Sequence, residues 1–346
     1  MITPLTPLEF YNASKQQLTI DVRSEGEYNY GHIPHAQSLP LFNNSERAQI
    51  GTTYKQQGSK EAILQGLDIV GPKMSGFIRN TQALIKDNRI YIHCWRGGMR
   101  SGSMAWLFNQ FGYDVYTLKG GYKAYRQMVL ATISSAYNYV VVGGKTGSGK
   151  TEVLARLKQQ GEQVIDLEAL ANHKGSAFGM LGQPAQPSTE HFENLLYEEY
   201  IKLDPTKRVW LEDESKKIGT VVLNNELWQH LKMAPLLVLE IPLEQRIERL
   251  VKDYADNKPE GLAQSLTNIK RRLGNLQWKQ AIDALHQKNY TEVAAIALNY
   301  YDKTYEYGLT QKEGSASYRL AFNRPANTTA IAQELIAFAD RLTEKR

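Results

Sequence analysis

Residues 137–151 read YNYVVVGGKTGSGKT, and this stretch decides the fold of the second half of the chain. An apolar run typical of a buried strand leads directly into a glycine-rich turn, and the following TEVLARLKQQ has the periodicity of a helix. The turn fits the pattern G-x-x-x-x-G-K-[ST] without exception. Strand, turn and helix together predict a phosphate-binding P-loop in an α/β domain.

Backbone N–H groups of such a loop would cradle a diphosphate or triphosphate, so the motif does not name the substrate and ATP is only the default. Lys150 would neutralise phosphate charge, and Thr151 is a candidate ligand of Mg²⁺. The residues expected to bind the diphosphate or triphosphate group are Gly144, Lys145, Thr146, Gly147, Ser148, Gly149, Lys150 and Thr151.

Two further segments of this half carry acids. The apolar run VWL ends in Glu212, Asp213 and Glu214, which are either candidate metal ligands or a solvated strand end. The stretch DLEALANHKGSAFG supplies Asp166, Glu168 and His173, which are either site residues or ordinary surface residues. We expect a second polar group at the site, formed by Asp166, His173, Glu212 and Glu214.

The remaining pattern of this half predicts strands at KRVWLED and APLLVLEIPL, and helix throughout after about Leu243. In the first half, LTIDV and RIYIHC predict buried strands, and SGFIRNTQALIKD and RSGSMAWLFNQF predict helices. This alternation indicates an α/β domain with a largely parallel sheet. We expect domains at residues 1–134 and 135–346, connected by a helix in GGYKAYRQMVLATISSAYN.

The single cysteine, Cys94, lies in IYIHCWRGGMRSGSMAWLF, at the carboxyl end of a predicted strand and before a helix. Ligands of open α/β sheets bind at that edge, and the N–H groups of a glycine-containing loop favour a thiolate there. Arg96 and Arg100 add positive charge. The expected loop amides belong to Trp95, Gly97, Gly98 and Met99. The alternative is a buried structural cysteine, which would not require two arginines and two glycines after it.

Five residues separate Cys94 from Arg100, and Ser101 follows. This C-x5-R-S spacing is also that of cysteine phosphatases, including those with the rhodanese fold. The loop alone therefore leaves a phosphatase and a chalcogen transferase open.

The composition and charge of the chain exclude some classes of protein. The chain has 346 residues and a formal charge of +5, which is compatible with a polyanionic partner but too low for a nucleic-acid packaging protein. The first residues lack the pattern of a signal peptide, and no stretch is apolar enough for a membrane span. We expect a cytoplasmic protein without a membrane partner.

Several motifs together resemble one family. DVRSEGEYNYGHIPHAQSLP, CWRGGMRS and LKGGYKAY are similar to rhodanese domains. With GGKTGSGKT, DLEALANHKGSAFG, LEDESKKIG and YYDKTYEYGL, the whole chain resembles the tRNA 2-selenouridine synthases. The resemblance implies a rhodanese-like parallel-sheet domain followed by a P-loop domain with a helical C-terminal region.

The resemblance also implies a function: selenium from selenophosphate replaces the sulfur of wobble 2-thiouridine, in tRNAs of the Lys, Glu and Gln type, through an S-geranyl-2-thiouridine intermediate. It implies that the P-loop binds geranyl diphosphate and that Cys94 carries selenium as S-selanylcysteine. We expect no tightly bound cofactor, Mg²⁺ with the diphosphate, and an enzyme that supplies selenophosphate as a further partner. Candidate tRNA contacts are Arg271, Arg272, Tyr301 and Tyr305. The alternative is a rhodanese-fold sulfurtransferase or phosphatase coupled to a P-loop NTPase.

Overall fold

The computed structural model describes residues 1–176, 178–255, 258–310, 316–322 and 327–344. The chain divides into two compact units. Unit 1 comprises Met1–Thr132 with Glu193–Tyr197, and unit 2 comprises Ile133–Phe192 with Glu198–Arg346.

Unit 1 is built on a parallel sheet with strand order β1-β5-β4-β2-β3. Its strands are β1 (Ile2–Leu5), β2 (Thr19–Asp21), β3 (Gln37–Ser38), β4 (Arg89–His93) and β5 (Asp114–Leu118). Its helices are α1 (Pro7–Ser14), α2 (Glu25–Tyr30), α3 (Asn44–Gln57), α4 (Ser59–Val70), α5 (Met74–Gln82), α6 (Met99–Gln110) and α7 (Gly121–Ile133), and a 3₁₀ turn spans Gly71–Lys73.

The core of unit 1 explains why β4 is central. Ile90 and Ile92 are fully buried and pack with Ile20, Val22 and Phe108. A strand that is covered on both faces needs this nearly continuous apolar sequence. The predicted parallel-sheet α/β fold is confirmed here.

Unit 2 contains a second parallel sheet, with strand order β12-β11-β6-β8-β7. Its strands are β6 (Asn138–Gly144), β7 (Gln163–Val164), β8 (Arg208–Glu212), β11 (Leu236–Glu240) and β12 (Ser317–Ala321), and β9 (Lys217–Ile218) and β10 (Val221–Val222) form an antiparallel pair. Its helices are α8 (Lys150–Gln159), α9 (Leu167–Leu170), α10 (Thr189–Tyr200, shared with unit 1), α11 (Asn225–Met233), α12 (Leu243–Ala255), α13 (Pro259–Asn268), α14 (Lys270–Leu273), α15 (Asn275–His286), α16 (Tyr290–Thr310) and α17 (Thr328–Glu344).

Two apolar clusters hold unit 2 together. One lies between the sheet and helices α8 and α17, and includes Val142, Trp210 and Leu335. The other is formed by α12, α13, α15 and α16 around Leu262 and Val293. The predicted P-loop domain with a helical C-terminal region is therefore confirmed.

The expectation of helix throughout after Leu243 is wrong at β12. Residues Ser317–Ala321 pair in parallel with Leu236–Glu240 at the edge of the sheet. Only Leu320 of this strand is buried, because an edge strand needs only one apolar side. The sequence SYRLA therefore lacks the apolar run by which the other strands were predicted.

Candidate active sites

The Cys94 loop of unit 1 begins where β4 ends. Cys94 follows His93 directly, is only 3% exposed, and precedes α6, which begins at Met99. The backbone oxygen of Cys94 accepts a hydrogen bond from the Tyr122 amide at 2.8 Å, and that of Trp95 accepts one from the Lys123 amide at 3.0 Å. The first turn of α7 therefore fixes the loop on one side.

Close packing between this loop and the turn before α7 depends on glycine. Gly97 has a φ of +68°, and a Cβ there would lie 2.7 Å from the Leu118 oxygen. Gly121 has a φ of +63°, and a Cβ there would lie 2.5 Å from the Cys94 oxygen. Side chains at either position would separate the two segments, which gives LKGGYKAY its structural role.

Ser101 is the polar neighbour of the thiol. Its Oγ lies 3.2 Å from the Cys94 Sγ and 3.2 Å from the Gly98 oxygen, and the residue is buried. The sulfur atom therefore has a hydroxyl group within hydrogen-bonding distance at the start of α6.

The two arginines of the loop differ in their surroundings. The Nη1 and Nη2 atoms of Arg100 donate to Glu27 at 2.8 and 3.4 Å, and Arg47 also contacts Glu27 at 2.9 Å. Burial opposes ionisation of Glu27, but the hydrogen bond and charge of Arg100, the Ser24 amide and the charge of Arg47 together outweigh it and lower the pKa of this carboxyl group. Arg96 is exposed, with no carboxylate partner among the described residues, and Met99 is exposed beside it. Arg96 is therefore more accessible than Arg100 to an anion that binds at the loop.

Behind the loop lies a buried ion pair. Arg23 donates to Asp21, with a shortest distance of 2.6 Å, and its guanidinium carbon lies 3.7 Å from the centroid of the Tyr122 ring. His93 is fully buried 3.8 Å from Asp21, and burial lowers its pKa to about 4. The ion pair between the aspartate and arginine of DVR therefore lies at the carboxyl end of β2, the strand that pairs with β4 next to Cys94.

The phosphate loop of unit 2 connects β6 to α8. Gly149 has a φ of +82° at the N-cap of α8. The Nζ of Lys150 donates to the Gly144 oxygen at 3.2 Å, and the Oγ1 of Thr151 donates to Glu168 at 3.3 Å. The predicted loop thus stands at the N-terminus of a helix, where backbone N–H groups bind anions.

Two arginines one turn apart on α12 brace this loop. Arg249 donates from Nη1 to the Gly147 oxygen at 2.7 Å, and Arg246 donates to the Thr146 oxygen at 3.2 Å. Arg246 is buried in a bidentate pair with Asp302 at 2.8 and 2.7 Å, whereas Arg249 is partly exposed. Neither arginine was predicted as a site residue, because α12 is remote from the motif in sequence.

Helix α16 contacts the other side of the loop. The Tyr305 hydroxyl accepts a hydrogen bond from the Gly144 amide at 2.8 Å, and Lys145 pairs with Glu306 at 3.1 Å. Burial is the main cause of a strongly raised pKa at Tyr305, and Asp213 adds to it. Tyr305, predicted as a tRNA contact, therefore lies against the phosphate loop.

Carboxylates gather beside Lys150 and Thr151. The Glu168 amide donates to Glu212 at 2.6 Å, and a Cβ on Gly175 would lie 2.5 Å from Glu214 while also meeting Glu168. Burial raises the pKa values of Glu212, Glu214 and Asp166, and neighbouring carboxylates raise them further. The structure thus brings three predicted acids together with Glu168, which was not predicted as a site residue.

His173 acts within the adjoining loop. Its Nδ1 accepts a hydrogen bond from the Gly175 amide at 3.1 Å, and burial lowers its pKa. His173 does not line the cavity at the phosphate loop, so its contacts stabilise the adjoining loop instead.

A cavity of about 870 Å³ opens at the phosphate loop. Its lining combines polar and apolar groups: Gly144, Thr146–Thr151, Glu152, Asp166, Glu168, Ala169, Lys174–Ser176, Phe178, Leu181, Gln183, Asp213–Ser215, Trp228, Lys232, Arg249, Leu250, Tyr301, Thr304, Tyr305, Gly308 and Leu309. Tyr301 and Tyr305 belong to this lining, whereas Arg271 and Arg272 are exposed on α14. The four predicted tRNA contacts therefore fall into two separate groups.

Comparison with known proteins identifies the family. The family model described as "tRNA 2-selenouridine synthase AAA domain" matches residues 137–329, and that of the "Rhodanese-like domain" matches residues 6–128. The tRNA 2-selenouridine synthase of Shewanella denitrificans is 34% identical over 335 residues, covering 85% of this chain and 89% of the relative. That of a Sulfurovum species is 35% identical and covers 92% and 93%. This chain belongs to the tRNA 2-selenouridine synthase family.

Membership of the tRNA 2-selenouridine synthases confirms the resemblance drawn from the motifs and makes the chain a tRNA-modifying transferase by family. The solved N-terminal domain of a Clostridium difficile 630 protein, which is described as an "ATP/GTP binding protein", is 44% identical, with a TM-score of 0.35 and coverage of 37% of this chain and 99% of that one. Within the described parts of the chain, no helix has the length and apolar character needed to cross a membrane.

Proposed function

We propose that this chain replaces the sulfur of wobble 2-thiouridine in tRNA with selenium, using selenophosphate and an S-geranyl-2-thiouridine intermediate formed from geranyl diphosphate. The observation that carries this proposal is the phosphate loop that opens into a cavity with apolar walls, in a chain that also holds a buried thiol at a sheet edge. An allylic diphosphate has the matching polar and apolar ends. Its tRNA substrates would be of the Lys, Glu and Gln type.

The first step would take place at the phosphate loop. The thiocarbonyl sulfur attacks carbon 1 of the geranyl chain, the carbon–oxygen bond breaks, and its electron pair leaves with diphosphate. The proton on N3 of the base is released, which leaves a neutral S-geranyl nucleoside. Loop amides, Lys150 and Arg249 would stabilise the charge that develops on the leaving group.

Mg²⁺ would assist the same step. The Thr151 hydroxyl lies beside the Glu168 carboxylate, and both are oxygen donors of the kind that Mg²⁺ prefers. No cluster of three or more His, Cys, Asp or Glu residues suited to a metal occurs within the described residues. This donor set fits an ion that is held by one or two protein groups together with substrate phosphates.

The second step would take place at Cys94. The thiolate attacks selenium of selenophosphate, and the phosphorus–selenium bond breaks with its electron pair on phosphorus, which leaves as phosphite. The terminal selenium of Cys94–S–Se⁻ attacks carbon 2 of the base and expels geranylthiolate. Two thiols of an external reductant then cleave the sulfur–selenium bond, become a disulfide, and release 2-selenouridine and Cys94.

A phosphatase is the less well supported reading of the C-x5-R-S loop. In such an enzyme the arginine would hold the phosphoryl group over the thiolate, but Arg100 is paired with Glu27. Arg96 is the cation that remains available for selenophosphate.

The test is nucleoside mass spectrometry of 2-thiouridine tRNA after incubation with the protein, Mg²⁺, a thiol reductant, geranyl diphosphate and selenophosphate. We expect S-geranyl-2-thiouridine when selenophosphate is omitted and 2-selenouridine when both are present. The absence of both products would sink the proposal, and ATP turnover without tRNA would favour an NTPase.

A further inference from the structure

The cavity at the phosphate loop has an apolar wall as well as a polar end. Phe178 and Leu250 are more than nine-tenths buried, and both belong to the same helical cluster as the partly buried Leu181 and Tyr301. The rings of Phe178 and Tyr301 meet edge to face at 6.3 Å. All four side chains line the cavity.

Two helices connect this wall to the phosphate loop. On α12, Arg249 reaches the Gly147 oxygen at 2.7 Å, and the next residue, Leu250, lines the wall. On α16, Tyr305 contacts the Gly144 amide, and Tyr301 lies one turn earlier, about 6 Å along the helix axis. The apolar wall therefore begins within about one helical turn of the phosphate loop, where the phosphates are expected to bind.

We propose that Phe178, Leu181, Leu250 and Tyr301 receive the prenyl chain of the allylic diphosphate and set the chain length that the enzyme accepts. This inference rests on the proposed function. Carbon 1 of the chain is bonded to the diphosphate, so the chain must start at the loop, and burial of its carbons requires an adjoining apolar surface. A cavity of about 870 Å³ falls within the usual range of about 300–1,000 Å³ for small-molecule sites.

Truncation of the wall should change chain-length selectivity. Leu250→Ala and Phe178→Ala lengthen the apolar space and remove contacts with a ten-carbon chain. We expect the ratio of kcat/KM for farnesyl diphosphate to that for geranyl diphosphate to rise at least about tenfold in each variant, since one methylene group changes such discrimination by about 10- to 200-fold. Dimethylallyl diphosphate serves as the short substrate, and the kcat/KM for it should not rise in either variant.

The matched control is Leu262→Ala. Leu262 is fully buried in the same cluster but does not line the cavity, so its truncation loosens the packing without changing the wall. Because the readout is a ratio between substrates in one preparation, a reduced folded fraction cancels. Leu250→Val is a milder second variant for the case in which Leu250→Ala does not fold.

The outcomes separate the inference from the proposed function. If the unaltered protein forms S-geranyl-2-thiouridine but the wall variants keep its farnesyl-to-geranyl ratio within about twofold, these residues do not set chain length. If the unaltered protein forms no prenylated nucleoside from any of the three diphosphates, the proposed function itself fails.

Discussion

The Sγ atom of Cys94 lies 3.2 Å from the Oγ atom of Ser101, and the same oxygen lies 3.2 Å from the Gly98 carbonyl oxygen. A hydroxyl group has one hydrogen to donate, and a carbonyl oxygen can only accept. With a thiol at Cys94, Ser101 can donate to Gly98 while accepting from sulfur. With a thiolate, the hydroxyl can rotate and donate to the sulfur, so Ser101 is placed to support the reactive form.

Ser101→Ala should therefore slow the chemistry of Cys94 without affecting geranylation. Loss of one hydrogen bond to a charged group costs about 1.5–3 kcal/mol, so we expect selenation at neutral pH to slow about tenfold or more. Iodoacetamide alkylation of Cys94 should also slow. Ser103→Ala on the same helix, where Ser103 is exposed and contacts Met99, is the control. Unchanged alkylation and selenation in Ser101→Ala would show that its contact with sulfur is only structural.

Cys94 and Lys150 should fail at different steps. Cys94→Ser removes the nucleophile, so S-geranyl-2-thiouridine should accumulate without 2-selenouridine. Lys150→Ala removes a cation from the phosphate loop, so geranylation should be lost while tRNA that has been geranylated beforehand is still selenated. Nucleoside mass spectrometry reports both steps. Loss of geranylation in folded Cys94→Ser protein would contradict the assignment of one step to each loop.

Tyr305→Phe tests whether α16 shapes the phosphate loop. The substitution leaves the Gly144 amide without the hydroxyl oxygen that accepts its hydrogen bond. A neutral hydrogen bond is worth about 1 kcal/mol, so we expect KM for geranyl diphosphate to rise about fivefold with little change in kcat. Tyr307→Phe is the matched control, since Tyr307 is 68% exposed on the same helix. Equal kinetic constants in the two variants would show that the Tyr305 hydroxyl does not contribute to diphosphate binding.

The sequence predicted those parts of the two sites that are continuous along the chain. Cys94 at the end of β4 and Lys150 at the start of α8 follow from apolar runs that end in glycine-rich turns. Arg249 could not be predicted in this way, because tertiary packing alone brings it to the phosphate loop. An arginine on a helix that is distant in sequence from the motif has no linear signature.

The edges of both sheets show the same limit. β1 (Ile2–Leu5) and β12 (Ser317–Ala321) are edge strands with little burial, so neither has the apolar run that predicted β4 and β6. The phosphate loop also shows why a residue type does not fix a role. Tyr305, expected to contact tRNA, has its hydroxyl at the Gly144 amide.

His93 should make the protein less stable in mild acid. It is fully buried, faces Asp21 and Arg23, and its pKa is about 4, below the ordinary value of 6.5. As the pH falls from about 6.5 to about 4, the unfolded chain binds a proton at this position and the folded chain does not, so unfolding becomes more favourable. The full effect is about 3 kcal/mol.

His93→Phe should reduce this dependence. Both ring nitrogens of His93 lack a hydrogen-bond partner within the described residues, so phenylalanine can replace the ring without losing such a contact. Thermal unfolding between pH 4.5 and 7.5 should show a shallower decline in the variant. His35, whose pKa burial also lowers to about 4, should account for part of the remaining slope. If thermal stability falls equally steeply with decreasing pH in both proteins, His93 protonates normally in the folded state.

Selenium carriage on Cys94 has a measurable redox consequence. Selenium in selenophosphate and in 2-selenouridine is at the same oxidation level, so a direct exchange would need only water and would release phosphate. Carriage as Cys94–S–Se⁻ instead releases phosphite and requires two thiols to free the product. Without a thiol reductant, we expect at most one turnover and a covalent protein–tRNA complex joined through sulfur and selenium, which dithiothreitol releases. Cys94→Ser should form no such complex. Phosphorus NMR should show phosphite, whereas repeated turnover without thiol, with phosphate as the phosphorus product, would show that selenium reaches the base without being carried by Cys94.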